Sequence, residues 1–263
     1  MKNKYQLSLT LFLAFAASSA FAQLPEEIQW KHLKKDYTAD SSDLMLSLNG
    51  KRLQGKYKIP LDEKSFALYT IENGMITGEA FWYTNGGHME CKLHYKRGVR
   101  NGLKENYDNE GKVWLRQDYK DGRLNGTSEM YSNGKLSSKS TYLAGKKHGL
   151  STSYSGDKVI AETQYQNDQR NGVSKTYING QLVTENNYQD DVQHGLSTSY
   201  MMGKKTMDAT YVNGKRHGIS HMYKPDGSVI FESYFLLGEK VSKAAFEKYE
   251  AEKGQERSKK TKP

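Results

Sequence analysis

The sequence predicts an all-β protein: an elongated, single-layer antiparallel sheet of tandem β-hairpins with a short C-terminal helix. Three observations carry that expectation. Two columns of tyrosine recur at a fixed period, paired glycines four apart separate them, and apolar residues make up only 36% of the chain while Tyr occurs 19 times and Gly 24 times. That composition fits a thin, Tyr-lined β structure better than a thick globular core.

The repeat comes first, because a missed period misassigns the whole fold. One column runs Tyr95, Tyr119, Tyr142, Tyr165, Tyr188, Tyr211, Tyr234, and a second runs Tyr83, Tyr107, Tyr131, Tyr154, Tyr177, Tyr200, Tyr223. Steps are 23 or 24 residues throughout. Between the columns lies Gly-x3-Gly, as in Gly74/Gly78, Gly98/Gly102, Gly122/Gly126, Gly145/Gly149 and Gly214/Gly218. Asp168/Gly172 and Asp191/Gly195 keep the spacing with Asp first. Asp tolerates left-handed backbone better than most residues, so the exchange suits a turn that needs φ > 0.

Each unit reads as a hairpin. Between Gly172 and Tyr188, Asn179-Gly180 is a strong two-residue turn signal that pairs Ile178 with Gln181. Strict alternation then puts Val173, Lys175 and Tyr177 on one face with Leu182, Thr184, Asn186 and Tyr188, and leaves a polar opposite face. The neighbours follow suit: Leu150, Thr152 and Tyr154 with Tyr165, and Leu196, Thr198 and Tyr200 with Tyr211. The expectation is one tyrosine face and one polar face per hairpin. Seven hairpins give fourteen strands in up-and-down order, a ribbon of roughly 65 Å at ~4.8 Å per strand. Each unit is marginal alone and gains stability from its neighbours.

The pattern Gly-x3-Gly-x4-Tyr-x2-Gly-x7-Tyr, seen from Gly122 to Tyr142, resembles the MORN repeat (membrane occupation and recognition nexus). It is most similar to the bacterial variant often labelled the antitoxin of a toxin–antitoxin pair. The likeness covers seven MORN-like repeats over residues 74–238. Departures are Asp168 and Asp191, the extra residue before Gly238, and three-residue turns ahead of Gly111 and Gly227. The resemblance implies a twisted antiparallel sheet used for binding, and no shared chemistry.

The rest of the chain divides around the array. Residues 1–22 read as a signal peptide: Lys2 and Lys4, an apolar stretch too short to span a bilayer, then Ala20-Phe21-Ala22, so cleavage is expected after Ala22. No Cys follows to suggest a lipoprotein, and no later segment is apolar enough to span a membrane as a helix. Residues 23–73 form an N-terminal segment with a possible short helix over 25–35 and a divergent capping hairpin over 44–59. Residues 66–71 lead into the array. Residues 239–263 read as a helix over 239–253, with Val241, Ala244, Ala245 and Tyr249 on one face, followed by a basic, disordered tail.

Removing Lys2 and Lys4 with no acid takes the formal charge from +9 to +7. A dispersed basic surface favours a protein partner or an anionic envelope or membrane surface, and an exported chain rarely meets nucleic acid. The single thiol, Cys91, excludes an internal disulfide.

Candidate sites are few. His148, His194 and His217 recur just before the second glycine, where Asn101, Asn125 and Asn171 stand elsewhere. Neighbouring repeats lie ~9–10 Å apart, too far for a shared metal ion, so these side chains are expected to cap turn backbone. Glu79, Glu105 and Glu129 share one strand position, but Thr152, Lys175, Thr198 and His221 follow, which reads as a tolerant surface column. Cys91 has no base beside it in the sequence and is expected to pack as a small apolar residue. Neither a catalytic set nor a metal or cofactor motif is expected. The candidate binding surface is His194, Tyr200, His217, His221 and Tyr223, in the units richest in exposed aromatic and polar residues. The sequence thus favours a periplasmic or secreted, non-enzymatic scaffold for protein or envelope-surface interactions. The alternatives are an antitoxin or immunity protein neutralising a toxin, and an envelope-polymer enzyme.

Overall fold

The computed structural model describes residues 25–37, 44–84 and 86–260, and 71% of it is strand. The expected signal peptide lies outside the described residues. The chain forms two compact units. One takes the described residues up to Met89 together with Tyr95–Val99, and the other takes Glu90–His94 and those from Arg100 onward.

The first unit holds the apolar core. Its strands are β1 (Glu26–Glu27), β2 (Lys34–Tyr37), β3 (Leu44–Leu48), β4 (Lys51–Arg52), β5 (Gly55–Pro60), β6 (Phe66–Glu72) and β7 (Met75–Thr84). β2, β3 and β4 make a small antiparallel sheet, while β5, β6 and β7 pair antiparallel with β1 running parallel beside β5. Ile28, Leu33, Leu46, Leu53, Ile59 and Ile71 are buried together, with Trp30 and Tyr69 against them. The capping hairpin therefore differs from the expectation. Only β4 folds back on β3, and β5 leaves to start a different sheet. Residues 25–35 contain one 3-10 turn, Trp30–His32, between two short strands. At Gly74 (φ +82°) the backbone passes so close to β3 that an added Cβ would sit 2.8 Å from the Leu46 carbonyl oxygen.

Strand β8 (His88–Lys96) contributes residues to both units. The second unit then continues β9 (Val99–Tyr107), β10 (Val113–Lys120), β11 (Arg123–Ser132), β12 (Lys135–Leu143), β13 (Lys146–Ser155), β14 (Lys158–Gln166) and β15 (Gln169–Ile178). It ends with β16 (Gln181–Gln189), β17 (Val192–Met201), β18 (Lys204–Val212), β19 (Lys215–Tyr223), β20 (Val229–Leu236), β21 (Glu239–Val241) and helix α1 (Lys243–Lys260). From β9 to β21 each strand pairs antiparallel with its sequence neighbours. The single-layer antiparallel sheet of tandem hairpins is thus the observed architecture. Its buried residues are mostly small or polar, among them Ser128, Ser140, Thr152, Thr198, Ala209 and Ser220, so cross-strand pairing takes the place of a second apolar layer.

Consecutive repeats are tied by one recurring bond. The amide of the first Gly-x3-Gly residue donates to the carbonyl two residues before the second glycine of the preceding unit: Gly122 to Arg100, Gly145 to Leu124, Asp168 to Lys147, Asp191 to Arg170, Gly214 to Gln193 and Gly238 to Arg216, at 2.7–3.0 Å. Asp168 and Asp191 have φ of 73° and 68°, as the turn reading requires. Their carboxylates add something glycine lacks: each accepts the amide of Lys147 or Arg170 in return, at 2.7 and 2.9 Å.

The faces differ from the expectation. Thr176 pairs with Thr184 but Tyr177 with Leu182, leaving Val183 as an extra residue. The same bulge occurs at Tyr131, Tyr154, Tyr200 and Tyr223. An extra residue reverses the alternation beyond it, so the two tyrosine columns lie on opposite faces. The first column ends at Phe235, not Tyr234, because the longer turn at Gly227 adds one residue and Phe235 pairs with Gly218. At the C-terminus, residues 239–241 are a strand, and the helix continues past Gly254 to Lys260. Glu, Lys, Arg and Gln are good helix formers and one glycine costs only about 1 kcal/mol. Phe246, rather than Ala244 or Ala245, is buried, and it packs on Tyr234 at 5.5 Å between ring centroids.

Candidate functional site

The bulges bring one side chain per strand into a row across one face of the second unit. In register, Glu105 faces Arg116, Arg116 faces Glu129, and Glu129 faces Lys139. The row continues through Thr152, Glu162, Lys175, Glu185, Thr198, Asp208, His221 and Glu232. It is a charge ladder in which acids face bases or threonine. Arg116 grips Glu105 with Nε and Nη2 at 3.1 and 2.9 Å, and Lys139 Nζ lies 3.0 Å from Glu129. The column taken as a tolerant surface is one half of this ladder. Its other half, Arg116 through Glu232, lies on the alternate strands, and only the bulged register brings the two together.

The second tyrosine column shares that face and donates to the ladder acids: Tyr107 to Glu105 at 3.0 Å, Tyr131 to Glu129 at 2.8 Å and Tyr177 to Glu162 at 2.7 Å. Burial, reinforced by the neighbouring carboxylate, pushes the Tyr107 and Tyr177 hydroxyls up to about 12. The other face carries the first column, each ring directly across from a motif glycine, as Tyr142 from Gly126 and Tyr188 from Gly172. Cations two residues before those glycines, in the same unit, lie over these rings: Lys147 over Tyr165 at 4.6 Å, Arg170 over Tyr188 at 4.1 Å and Arg216 over Phe235 at 5.4 Å. Gly126 must be glycine: at φ +123° a Cβ would fall 2.8 Å from the Asp118 side chain.

The ladder is densest at Asp208, whose side chain is only 9% exposed. His221 Nδ1 sits 2.8 Å from Oδ1, the Tyr223 hydroxyl donates to Oδ2 at 2.8 Å, and Lys205 Nζ lies 2.5 Å from Oδ2. The His221 amide adds a fourth bond at 3.3 Å. Burial works against the Asp208 charge, but the bonds from Lys205, Tyr223 and His221 win and hold its carboxyl at about 2. The second ring nitrogen of His221, Nε2, faces Glu232 at 3.8 Å. No protein-family model matches the chain, and no curated protein matches it.

Of the five expected surface residues, the structure brings His221 and Tyr223 together on Asp208 and sets Tyr200 directly across from Lys205. His194 and His217 lie elsewhere, on the turn edge. His194 Nδ1 accepts the Asn213 amide at 3.5 Å and His217 Nδ1 the Leu237 amide at 3.3 Å, matching Asn125 on the Ala144 amide. At these three positions that is the capping role expected of the Asn/His column, though each cap reaches the next unit's turn rather than its own. Asn101 and Asn171 instead donate to the Asp121 and Asp190 carboxylates, and His148 Nδ1 is buried without a hydrogen-bond partner. His217 also meets Tyr249 of α1 edge-on at 5.8 Å. Among the described residues no three His, Cys, Asp or Glu side chains are grouped to hold a metal ion. The Cys91 thiol is pushed up by burial, which disfavours the thiolate. Asp208 and Lys205 escaped the sequence reading. Asp208 is marked only by its ladder position opposite His221, and Lys205 by its place across from Tyr200, both visible only once register is known.

Proposed function

We propose that this chain is an exported, non-enzymatic scaffold of MORN-like repeats that binds a protein or an envelope surface through its sheet. The observation that carries the reading is the construction of the second unit. Apart from α1 at its end, no second layer of secondary structure among the unit's described residues lies on the sheet, and both faces present regular rows of tyrosine with charged partners. Such rows are pre-ordered, so docking on them costs little side-chain entropy. Tyrosine favours interfaces because it combines large contact area with a hydroxyl. Tyr200, His221 and Tyr223, gathered around Lys205 and Asp208, are the proposed centre of that surface, while His194 and His217 support the turns.

The basic start, short apolar stretch and Ala20-Phe21-Ala22 of the sequence place the working protein outside the cytoplasm in this reading. The test is capture from an envelope extract with the mature chain, alongside His221→Ala/Tyr223→Ala. Recovery of one envelope component that the double variant loses, with its β spectrum unchanged, supports the scaffold. Equal recovery by both moves the binding surface elsewhere. Recovery of nothing by either chain counts against the scaffold itself.

A further inference from the structure

The last long strand is paired on only one side over most of its length. β20 lies against β19 from Val229 to Phe235, but β21 covers only Tyr234, Phe235 and Leu236 on the outer side. No other strand is registered against residues 229–233 among the described residues. Their backbone amides and carbonyls on that side form an open edge. The side chains there are apolar and unusually exposed: Ile230 is 54% and Phe231 53% accessible, and Met222, directly across from Phe231, is 48%. The ladder also stops here. Glu232 is its final rung: His221 lies on the inner side, the Tyr234 hydroxyl of its own strand donates to it, and among the described residues no strand residue stands opposite it on the outer side.

We propose that this edge receives an extended segment of a partner protein by strand addition, and that the segment alternates basic and apolar residues. This rests on the interaction-scaffold reading above and names the chemistry of its partner. Strand addition supplies main-chain hydrogen bonds, and alternate side chains set the specificity. The ladder favours one half of the alternation: a base on the next strand suits the acid at Glu232, as Arg116 suits Glu105 and Lys139 suits Glu129, with Thr198 beyond Glu185 the uncharged exception. The other half falls on the opposite face beside Phe231 and Met222, where an apolar side chain removes exposed carbon from water. A second copy docking by the same edge would bring a second Glu232 to the ladder face, while its Lys240 lies on the opposite face over Phe231, so charge favours a different chain.

The probe is an end-blocked peptide of alternating valine and lysine, compared with one of alternating valine and glutamate. Hydrogen exchange on the full mature chain reads the site. The lysine peptide should protect the amides of residues 229–233 and bind at least about tenfold more tightly than the glutamate peptide. Bulk charge does not explain that result, because the mature chain, without Lys2 and Lys4, is itself +7. Glu232→Lys should invert the preference, and Glu232→Gln should abolish it if the reversal disturbs folding. Protection spread over many strands, equal binding of the two peptides, or an unchanged preference in Glu232→Gln overturns the assignment. Protection of residues 229–233 that rises with protein concentration alone also overturns it, in favour of a second copy. If the peptides fail while an envelope partner is still captured, only the edge site is lost. If the peptide binds and nothing is captured, only the exported-scaffold reading is lost.

Discussion

Ala144 takes a left-handed conformation, φ 51°, at the first turn position before Gly145, where neighbouring units place Asn or Asp. A Cβ-bearing residue without a compensating polar group pays roughly 1 kcal/mol for that conformation. Ala144→Asn should therefore stabilise the protein by about 0.5–1 kcal/mol, read as a raised denaturant midpoint at unchanged slope. Asp208 makes a second prediction at this scale. Its carboxyl is lowered from 3.8 to about 2, so its contribution is present above the unfolded value and disappears as pH falls through the folded one. Stability should drop by on the order of 1–2 kcal/mol between about pH 4 and pH 2, and Asp208→Asn should lose this part of the dependence. An unchanged acid limb in the variant would show that the Lys205, Tyr223 and His221 bonds do not carry the effect.

Within single elements, the charge ladder is a pairwise object. Arg116→Glu places three acids side by side, at 105, 116 and 129, and should cost about 1–2 kcal/mol. Adding Glu105→Arg restores one facing pair and should recover part of that loss, a coupling measurable in a double-mutant cycle. The ladder also marks where sequence reading stopped. Hairpin positions and turn types were legible because Asn-Gly, Asp-Gly and the motif glycines announce φ > 0 locally. The faces were not, because Val183 and its equivalents carry no chemical mark of being extra. One unannounced residue per hairpin was enough to move Tyr188 away from Tyr177 and to hide Lys175 and Glu185 as partners. The Phe235 for Tyr234 exchange has the same origin, since the longer turn at Gly227 shifts the count by one. His221 and Tyr223 were found from composition alone, and the buried carboxylate that joins them was not.

For the whole chain, the repeat reading makes a deletion experiment decisive. Removing residues 169–191, one hairpin with its following turn, joins Asp168 to Val192 and sets Glu162 opposite Thr198, a pairing of the same kind as Glu185 with Thr198. That chain should remain folded and β-rich by far-UV circular dichroism. Removing only residues 169–179 inverts every following strand and should abolish cooperative folding. Export is checked by intact mass of the fractionated protein, which should begin at Gln23, whereas a cytoplasmic chain retaining Met1 would refute it. Strictly sequential pairing from β9 to β20 also has a mechanical consequence. A load applied at the two ends of that array pulls across its hydrogen-bonded seams rather than along them. The seams open one after another like a zipper, so stretching should give a train of small, similar force steps, each releasing one strand. Such an array yields gradually, and a partner strand bound at its open end would be the first seam to part.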